Sequence, residues 1–150
     1  MTTPIDTPSL AIVTHVGLAL SACRTVAQAA EAAAIARNCR VCIAILDHGG
    51  HLQHFVRMDG SHIASIEVAI AKARCALTFR RPTKLFADAV AADGAALTAL
   101  PGMVPFPGGV PLLYRGEVIG AIGISGGTPQ LDGEVGEAAA AILLNEGDPA

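Results

Sequence analysis

Apolar residues recur at helical spacing in two long segments of the chain. The first segment, residues 21–37, is rich in alanine and begins with Ser21, whose hydroxyl suits a helix N-cap. The second follows Asp59, Gly60 and Ser61, and its larger apolar side chains recur every three or four residues: Ile63, Ile66, Ile70, Ala73 and Leu77. These positions therefore share one face of that helix. The opposite side consists of small residues and one lysine: Ser65, Ala69, Lys72 and Ala76.

Helix-breaking and helix-capping residues predict two further helices. Pro82 favours an end to the second helix, and residues 83–92 then predict a short third one. Near the end of the chain, Thr128 is placed to cap a last helix that has Pro129 at its first position and ends at about Asn145. Residues 101–111 contain four prolines and three glycines, which argues against regular structure there.

The remaining apolar segments show patterns that are typical of β-strands. Residues 16–20 alternate between large and small side chains, which predicts a short strand. Residues 41–47 and 51–57 flank a glycine turn, and residues 110–114 and 117–124 flank Arg115 and Gly116, so each pair predicts a hairpin. This order of elements predicts an α+β fold, with helices packed against an antiparallel sheet in a single domain.

Composition narrows the class of protein. The chain has 150 residues, a formal net charge of −3 and 15% charged side chains, which fits one domain over residues 1–150 and gives no electrostatic footprint for nucleic acid. Mean hydropathy is +0.52, yet no apolar run approaches the roughly 20 residues that cross a bilayer. The sequence begins without the features of a signal peptide. We therefore expect a cytoplasmic protein without a membrane partner, with its core at about 14–145 and flexible ends at 1–10 and 147–150.

The balance of apolar and aromatic residues predicts self-association. Hydrophobic residues make up 52% of the chain but aromatic residues only 3%, so the core must be built from small side chains. One small domain hides such a large apolar fraction poorly, and exposed apolar patches usually mark interfaces. We expect a homo-oligomer.

The cysteines and histidines indicate no metal cluster. Cys39 and Cys42 lie where a helix ends and a strand begins, which is the wrong end of a helix for a redox pair. We expect them, like Cys23 and Cys75, to be buried and free of disulfides. His48, His51 and His54 are separated by the glycine turn and cannot gather as they would on a helix.

His54 is the histidine most open to a functional role. It shares a strand face with Leu52 and Val56, so it points toward an apolar environment, where a hydrogen-bonded structural histidine is the ordinary outcome. If it acts in function, binding a haem iron or transferring a proton is the chemistry it suits.

Charged residues and glycines supply the other candidates. Arg57 and Asp59 lie beside the predicted start of the second helix, and Lys72 lies among small side chains where a ligand could approach. An ordinary surface pair of Asp59 and Lys72 would contribute under about 1 kcal/mol. Residues 125–127 lead into the last helix, whose first amides could hold a carboxylate.

The order and spacing of several short motifs resemble those of one family. They are the strand 41–47 with Gly49 to Leu52, the segment 57–60, residues 71–74, residues 81–83, the segment 108–111, and residues 116–127. Together they resemble the GlcG/HbpS family, which includes the C-terminal domain of PduO-type proteins. The likeness covers about residues 20–144, nearly the whole chain.

The resemblance implies a profilin-like sandwich that assembles into dimers and larger rings, and haem or tetrapyrrole binding in some members. It also implies an accessory role beside catabolic pathways. Carried over by position, the family's ligand site would use Arg57, Asp59, Lys72, Gly108 and Gly109. His54 and His62 depart from the family pattern, which favours a specialised function.

Three hypotheses follow. In the first, a homo-oligomer binds haem or a cobalamin-like tetrapyrrole between the sheet and the 101–111 loop, with Arg57 and Lys72 on the propionates and His54 or His51 as axial ligand. In the second, a cofactor-independent lyase or isomerase acts on a small carboxylate, aromatic ones included: Arg57 or Lys72 anchors it, His54 or His62 moves a proton, and Asp59 orients the base. In the third, the protein is an oligomeric scaffold without chemistry.

Overall fold

The computed structural model describes residues 11–146, so the flexible ends predicted at 1–10 and 147–150 lie outside the described residues. Nine elements follow one another along the chain: α1 (Leu20–Ala36), β1 (Cys42–Asp47), β2 (Leu52–Arg57), α2 (Ala64–Phe79), α3 (Thr83–Ala91), a 3-10 helix (Ala95–Ala99), β3 (Gly109–Tyr114), β4 (Glu117–Ser125) and α4 (Pro129–Glu146).

The four strands form one antiparallel sheet in the order β2-β1-β4-β3. Helices α1 and α4 pack on one face, and α2 packs on the other with α3 beside it. The predicted α+β fold of helices against an antiparallel sheet is therefore confirmed. No helix among residues 11–146 combines the length and apolarity that crossing a membrane requires.

Both hairpin turns take the backbone conformation that their residues favour. In the first turn Gly50 has φ 85°, and the Asp47 carboxylate accepts hydrogen bonds from the backbone N–H groups of Gly49 and His51 at 2.9 and 3.0 Å. These bonds, chiefly that of His51, lower the pKa of Asp47. In the second turn Arg115 and Gly116 have φ 50° and 80°, as a two-residue turn between twisted strands requires.

The two faces of the sheet carry side chains of different size. Toward α1 and α4 the strands present large aliphatic residues: Ile43, Ile45, Val110, Leu112, Ile122 and Ile124. Toward α2 they present mainly small ones: Cys42, Ala44, Ala121, Gly109 and Gly123. The alternation of strand side chains between faces produces this division.

The buried face of α2 is mainly the small one, and it includes Ala73 from the apolar series. Ser65, Ala69, Lys72, Ala73 and Ala76 are buried, whereas Ile66, Ile70 and Leu77 are half-buried and Ile63 is 75% exposed. The reason lies in the sheet: a Cβ on Gly123 would lie 1.9 Å from the carbonyl oxygen of Ala69. Helix and sheet backbones approach so closely that large side chains are excluded from between them.

The predicted strand at residues 16–20 is absent, and α1 instead begins at Leu20 with Ala19 at the N-cap position. Ser21 therefore lies inside the helix rather than capping it. The carbonyl of Leu18 accepts a hydrogen bond from the Gln53 side-chain amide at 2.7 Å, so this segment is held to the edge strand β2 by a side chain instead of a ladder. The other predicted cap is confirmed, because Thr128 Oγ1 accepts from the N–H of Leu131 at 3.2 Å.

Candidate functional site

A cavity of about 610 Å³ lies between the start of α1, the end of α4 and the β3–β4 hairpin. Its walls are largely apolar and come from four parts of the chain: Leu18, Ala22, Val26, Ile119, Ile142 and Leu143. Leu18, Val26 and Ile119 belong to the core cluster on this face of the sheet, so the cavity extends from the core toward the surface. Its volume falls within the range of small-molecule sites.

Three side chains bring polar atoms to this cavity: Ser21, Thr25 and Tyr114. Thr25 Oγ1 donates to the backbone carbonyl of Ser21 at 3.1 Å, which occupies the Thr25 hydroxyl within the helix. Tyr114 ends β3, and the guanidinium carbon of Arg115 lies 5.2 Å from the centre of its ring. The cavity thus combines apolar walls with one phenol that has a cation beside it.

Gln53 holds the segment that forms one wall of the cavity. Its Nε2 donates to the carbonyl of Leu18, while its Oε1 is buried and has no hydrogen-bond partner among residues 11–146. A buried acceptor without a partner costs free energy. The hydrogen bond from Gln53 Nε2 to the Leu18 carbonyl thus holds the segment before α1 against strand β2.

Lys72 lies in the interior and is held by an ion pair. Its Nζ donates to Asp132 Oδ2 and to the carbonyl of Ile124, both at 2.9 Å, and each of the two charged residues is only 3% exposed. Asp132 Oδ1 accepts from the N–H of Gly127 at 2.8 Å. This group links α2, β4 and the start of α4, and its partner is Asp132 rather than Asp59.

Gly108 and Gly109 pack against the same lysine. A Cβ on Gly108 would lie 3.0 Å from Lys72 Nζ, and a Cβ on Gly109 would lie 2.3 Å from the Lys72 carbonyl oxygen. The N–H of Gly109 donates to Thr83 Oγ1 at 2.9 Å. The structure thus brings Lys72, Gly108 and Gly109 together. The contact between them is buried and closely packed.

Arg57 and Asp59 share a different place, a groove of about 500 Å³ between β2 and the end of α1. Arg40 and Glu31 also line it, together with apolar side chains that include Met58. Neither Lys72 nor Gly108 and Gly109 line this groove. The expectation that Arg57, Lys72 and the two glycines wall one cavity is therefore corrected: a buried ion pair and closely packed backbone take up the surroundings of Lys72.

The three candidate histidines lie apart from one another. His51 is in the β1–β2 turn with its side chain 82% exposed, 3.4 Å from Asp47. His54 is half-buried on the edge strand β2, opposite Ile45, and His62 is exposed before α2. None of them lines the apolar cavity or the Arg57 groove.

All four cysteines are buried and free, as predicted. Burial raises the pKa of the thiols of Cys23, Cys39 and Cys75, so these groups stay protonated at neutral pH. Among the described residues no group of three or more histidine, cysteine or acidic side chains could hold a metal ion.

Two residues of the site were missed by sequence reasoning. Tyr114 is the only tyrosine of the chain, and its place at the end of an alternating strand next to a turn was the available signal. Asp132 carries no motif, because its pairing with Lys72 joins residues 60 positions apart. Only the fold, in which Lys72 reaches from α2 past the end of β4 to the start of α4, makes that contact visible.

Comparison with known proteins assigns the chain to a family. The family model described as "Haem degrading protein HbpS-like" matches residues 18–141. An uncharacterised 15.0 kDa protein of Citrobacter freundii, encoded in the dhaT-dhaS intergenic region, is 37% identical over 126 residues, which cover 81% of this chain and 89% of that protein.

Solved structures agree with this assignment. A double mutant of HbpS from Streptomyces reticuli is 28% identical and superposes with a TM-score of 0.81, covering 95% of this chain and 98% of its own. A complex of PduOC with haem is 28% identical, with a TM-score of 0.75 over 84% of this chain and 94% of its own. The resemblance found in the sequence is confirmed, and the chain belongs to the HbpS-like family.

Proposed function

We propose that this protein binds haem or a related tetrapyrrole in the apolar cavity between α1, α4 and the β3–β4 hairpin. The observation that carries the proposal is the cavity itself, about 610 Å³ with mainly apolar walls and a phenol among its lining side chains. A tetrapyrrole is a flat apolar ring with acidic substituents, and such ligands are buried in cavities of this kind. The haem complex of the related PduOC supports the same ligand class.

The residues present fit a haem. Leu18, Val26 and Ile142 would pack on the macrocycle, and Tyr114 supplies the oxygen that can bind its iron, as tyrosine does in some haem proteins. Arg115, next to Tyr114, would offer positive charge to a propionate. Bound haem would supply iron chemistry, which the chain's own residues lack.

This proposal changes the axial ligand that the sequence suggested. His54 and His51 do not line the cavity, and Arg57 and Lys72 lie in other parts of the molecule. Tyr114 would therefore be the residue that holds the iron, and the two histidines serve as controls. The glycine-rich 101–111 segment packs elsewhere, with Pro107 against Gly133 of α4 and the N–H of Val104 donating to Cys75 Sγ.

The alternative of a lyase or isomerase acting on a small carboxylate has weaker support. Arg57 and Asp59 do share a groove, where Arg40 adds a second guanidinium for a carboxylate. The groove contains neither of the proposed proton-moving groups, because His54 and His62 lie outside its lining, and Lys72, the alternative anchor, lies outside it as well. We therefore favour the binding protein over the enzyme.

A titration with hemin tests the proposal. We expect saturable binding with a sharp Soret band, and Tyr114→Phe should change the band position and weaken binding about tenfold or more, because the iron loses its oxygen ligand. His54→Ala and His51→Ala should leave the spectrum unchanged. A spectrum that responds to either histidine and ignores Tyr114→Phe would refute the assignment.

We further propose that the protein is a homo-oligomer built from dimers. Several large apolar side chains are exposed on the single chain, among them Ile12 at 86%, Val13 at 76% and Ile63 at 75%. Where such side chains form one large exposed patch, the patch usually marks an interface, which a second copy of the chain would cover. Sedimentation velocity should give a mass of at least two chains, and a monomer at micromolar concentration would rule the proposal out.

A further inference from the structure

A second cavity, of about 340 Å³, lies on the other face of the sheet, where the β1–β2 turn meets the end of α2. The boundary between the two cavities is visible in β4: Ile119 lines the apolar cavity, whereas its neighbour Val118 lines the second one. Here most of the lining is polar, with Arg74, Thr78 and Arg80 from the α2 side and His48 from the turn. The proposed haem site uses none of these side chains.

The charged side chains that line this second cavity are all basic. Its lining contains two arginines and a histidine but no aspartate or glutamate. Within residues 11–146, neither guanidinium makes an ion pair or a side-chain hydrogen bond. Asp47, the carboxylate next to His48 in the chain, is already bonded to the turn amides and faces His51. Two unpaired guanidinium groups at one concavity are typical of a site for an anion.

The backbone around the cavity is fixed. Arg80 is the C-cap of α2 with φ 54°, and its N–H donates to the carbonyl of Leu77. Gly50 packs on α2, because a Cβ there would lie 3.7 Å from Leu77 Cδ2. The His48 ring stacks on His15 with ring centres 5.3 Å apart. The exposed side chains of His48, Arg74 and Arg80 thus come from the hydrogen-bonded turn, from α2 and from its C-cap.

We propose that this cavity, lined by His48, Arg74, Thr78 and Arg80, binds the phosphate group of a small molecule. Two guanidinium groups, a hydroxyl and an imidazole offer donors from the helix, its C-cap and the turn. A tetrahedral dianion has acceptors in several directions, which suits donors from three parts of the chain, whereas a planar carboxylate has acceptors in one plane only. The volume admits inorganic phosphate or a short phosphate monoester. In both ligands the phosphate group is the part that the cavity would bind.

Calorimetric titration of the full chain at low ionic strength tests this site, with inorganic phosphate, glycerol 3-phosphate and succinate as probes. We expect both phosphate probes to bind and succinate to bind at least about tenfold more weakly. Arg74→Gln and Arg80→Gln should each raise the Kd of phosphate about five- to tenfold, because each removes a charged hydrogen-bond donor, and the double variant should abolish binding.

Arg81→Gln is the matched control, since Arg81 is exposed, adjacent to Arg80 and absent from the cavity lining. It makes the same change in net charge and should alter the Kd by less than about twofold. When phosphate is titrated into the unmodified protein and monitored by NMR, the amide resonances of Gly49 and Gly50 should shift. No phosphate binding, an equal loss in Arg81→Gln, or tighter binding of succinate would each overturn the proposal.

Discussion

Lys72 carries its charge in the interior because two acceptors replace water around its ammonium group. The Asp132 carboxylate and the Ile124 carbonyl lie at equal distances of 2.9 Å, and the carboxylate is itself stabilised by the Gly127 N–H. Removing one partner of such a pair leaves the other charge buried and unpaired, which costs far more than the pair contributes on its own.

Lys72→Met should therefore lower the free energy of unfolding by about 3–5 kcal/mol. Adding Asp132→Asn should restore part of the loss, because the double variant buries no charge and keeps an acceptor for Gly127. Urea denaturation of the two single variants and the double variant measures this coupling. A Lys72→Met protein as stable as the unmodified one would show that the ion pair does not hold α2 to α4.

This residue also shows what the sequence could and could not supply. Its surroundings of small residues were visible as a helical stripe, and that stripe is real. The identity of its partner was not, since local patterns contain no information on which distant carboxylate meets a given lysine. The same holds for Tyr114, which meets the start of α1 at the cavity only after the fold has formed.

At the scale of elements, helix α2 and the sheet are joined by close backbone contact. Small side chains on α2 face Ala44, Ala121 and Gly123. The larger Ile66, Ile70 and Leu77 pack against the same cluster but are only half-buried. Periodicity predicted the helix and the stripe of small residues on it. It did not show which face is the more buried, because hydrophobicity favours the isoleucines and the available space favours the alanines.

Gly123→Ala tests this contact. The added methyl group would lie 1.9 Å from the Ala69 carbonyl oxygen, so α2 must move away from the sheet. We expect a loss of about 3 kcal/mol in the free energy of unfolding, measured by thermal or urea denaturation. Gly17→Ala is the control, since its Cβ would meet only the His48 ring, with Nδ1 at an ordinary 3.5 Å. Equal stability of both variants would contradict the close approach.

At the scale of the whole molecule, the sheet separates two sites with opposite chemistry. The face toward α1 and α4 holds the apolar cavity, and the face toward α2 holds the basic one. The two hairpins and the order of helices were predictable, because turn residues and periodicity act locally. The cavities were not, since each is lined by segments that only the fold brings together.

The residues that the resemblance suggested for a ligand are divided by the same architecture. Lys72 and the two glycines lie in packed interior, while Arg57 and Asp59 lie in a surface groove at the β2 edge. The proposed haem site therefore depends on the apolar cavity rather than on the positions carried over from the family.

Filling that cavity is the most direct test. Ala22 lines it from α1, so Ala22→Phe should occupy the space and weaken hemin binding at least about tenfold, while Ala32→Phe on the exposed side of the same helix should not. Soret titrations of the two variants, with circular dichroism to verify the fold, make the comparison. Loss of binding in Ala22→Phe alone is the predicted result. Unchanged hemin affinity in a folded Ala22→Phe protein would contradict the central claim.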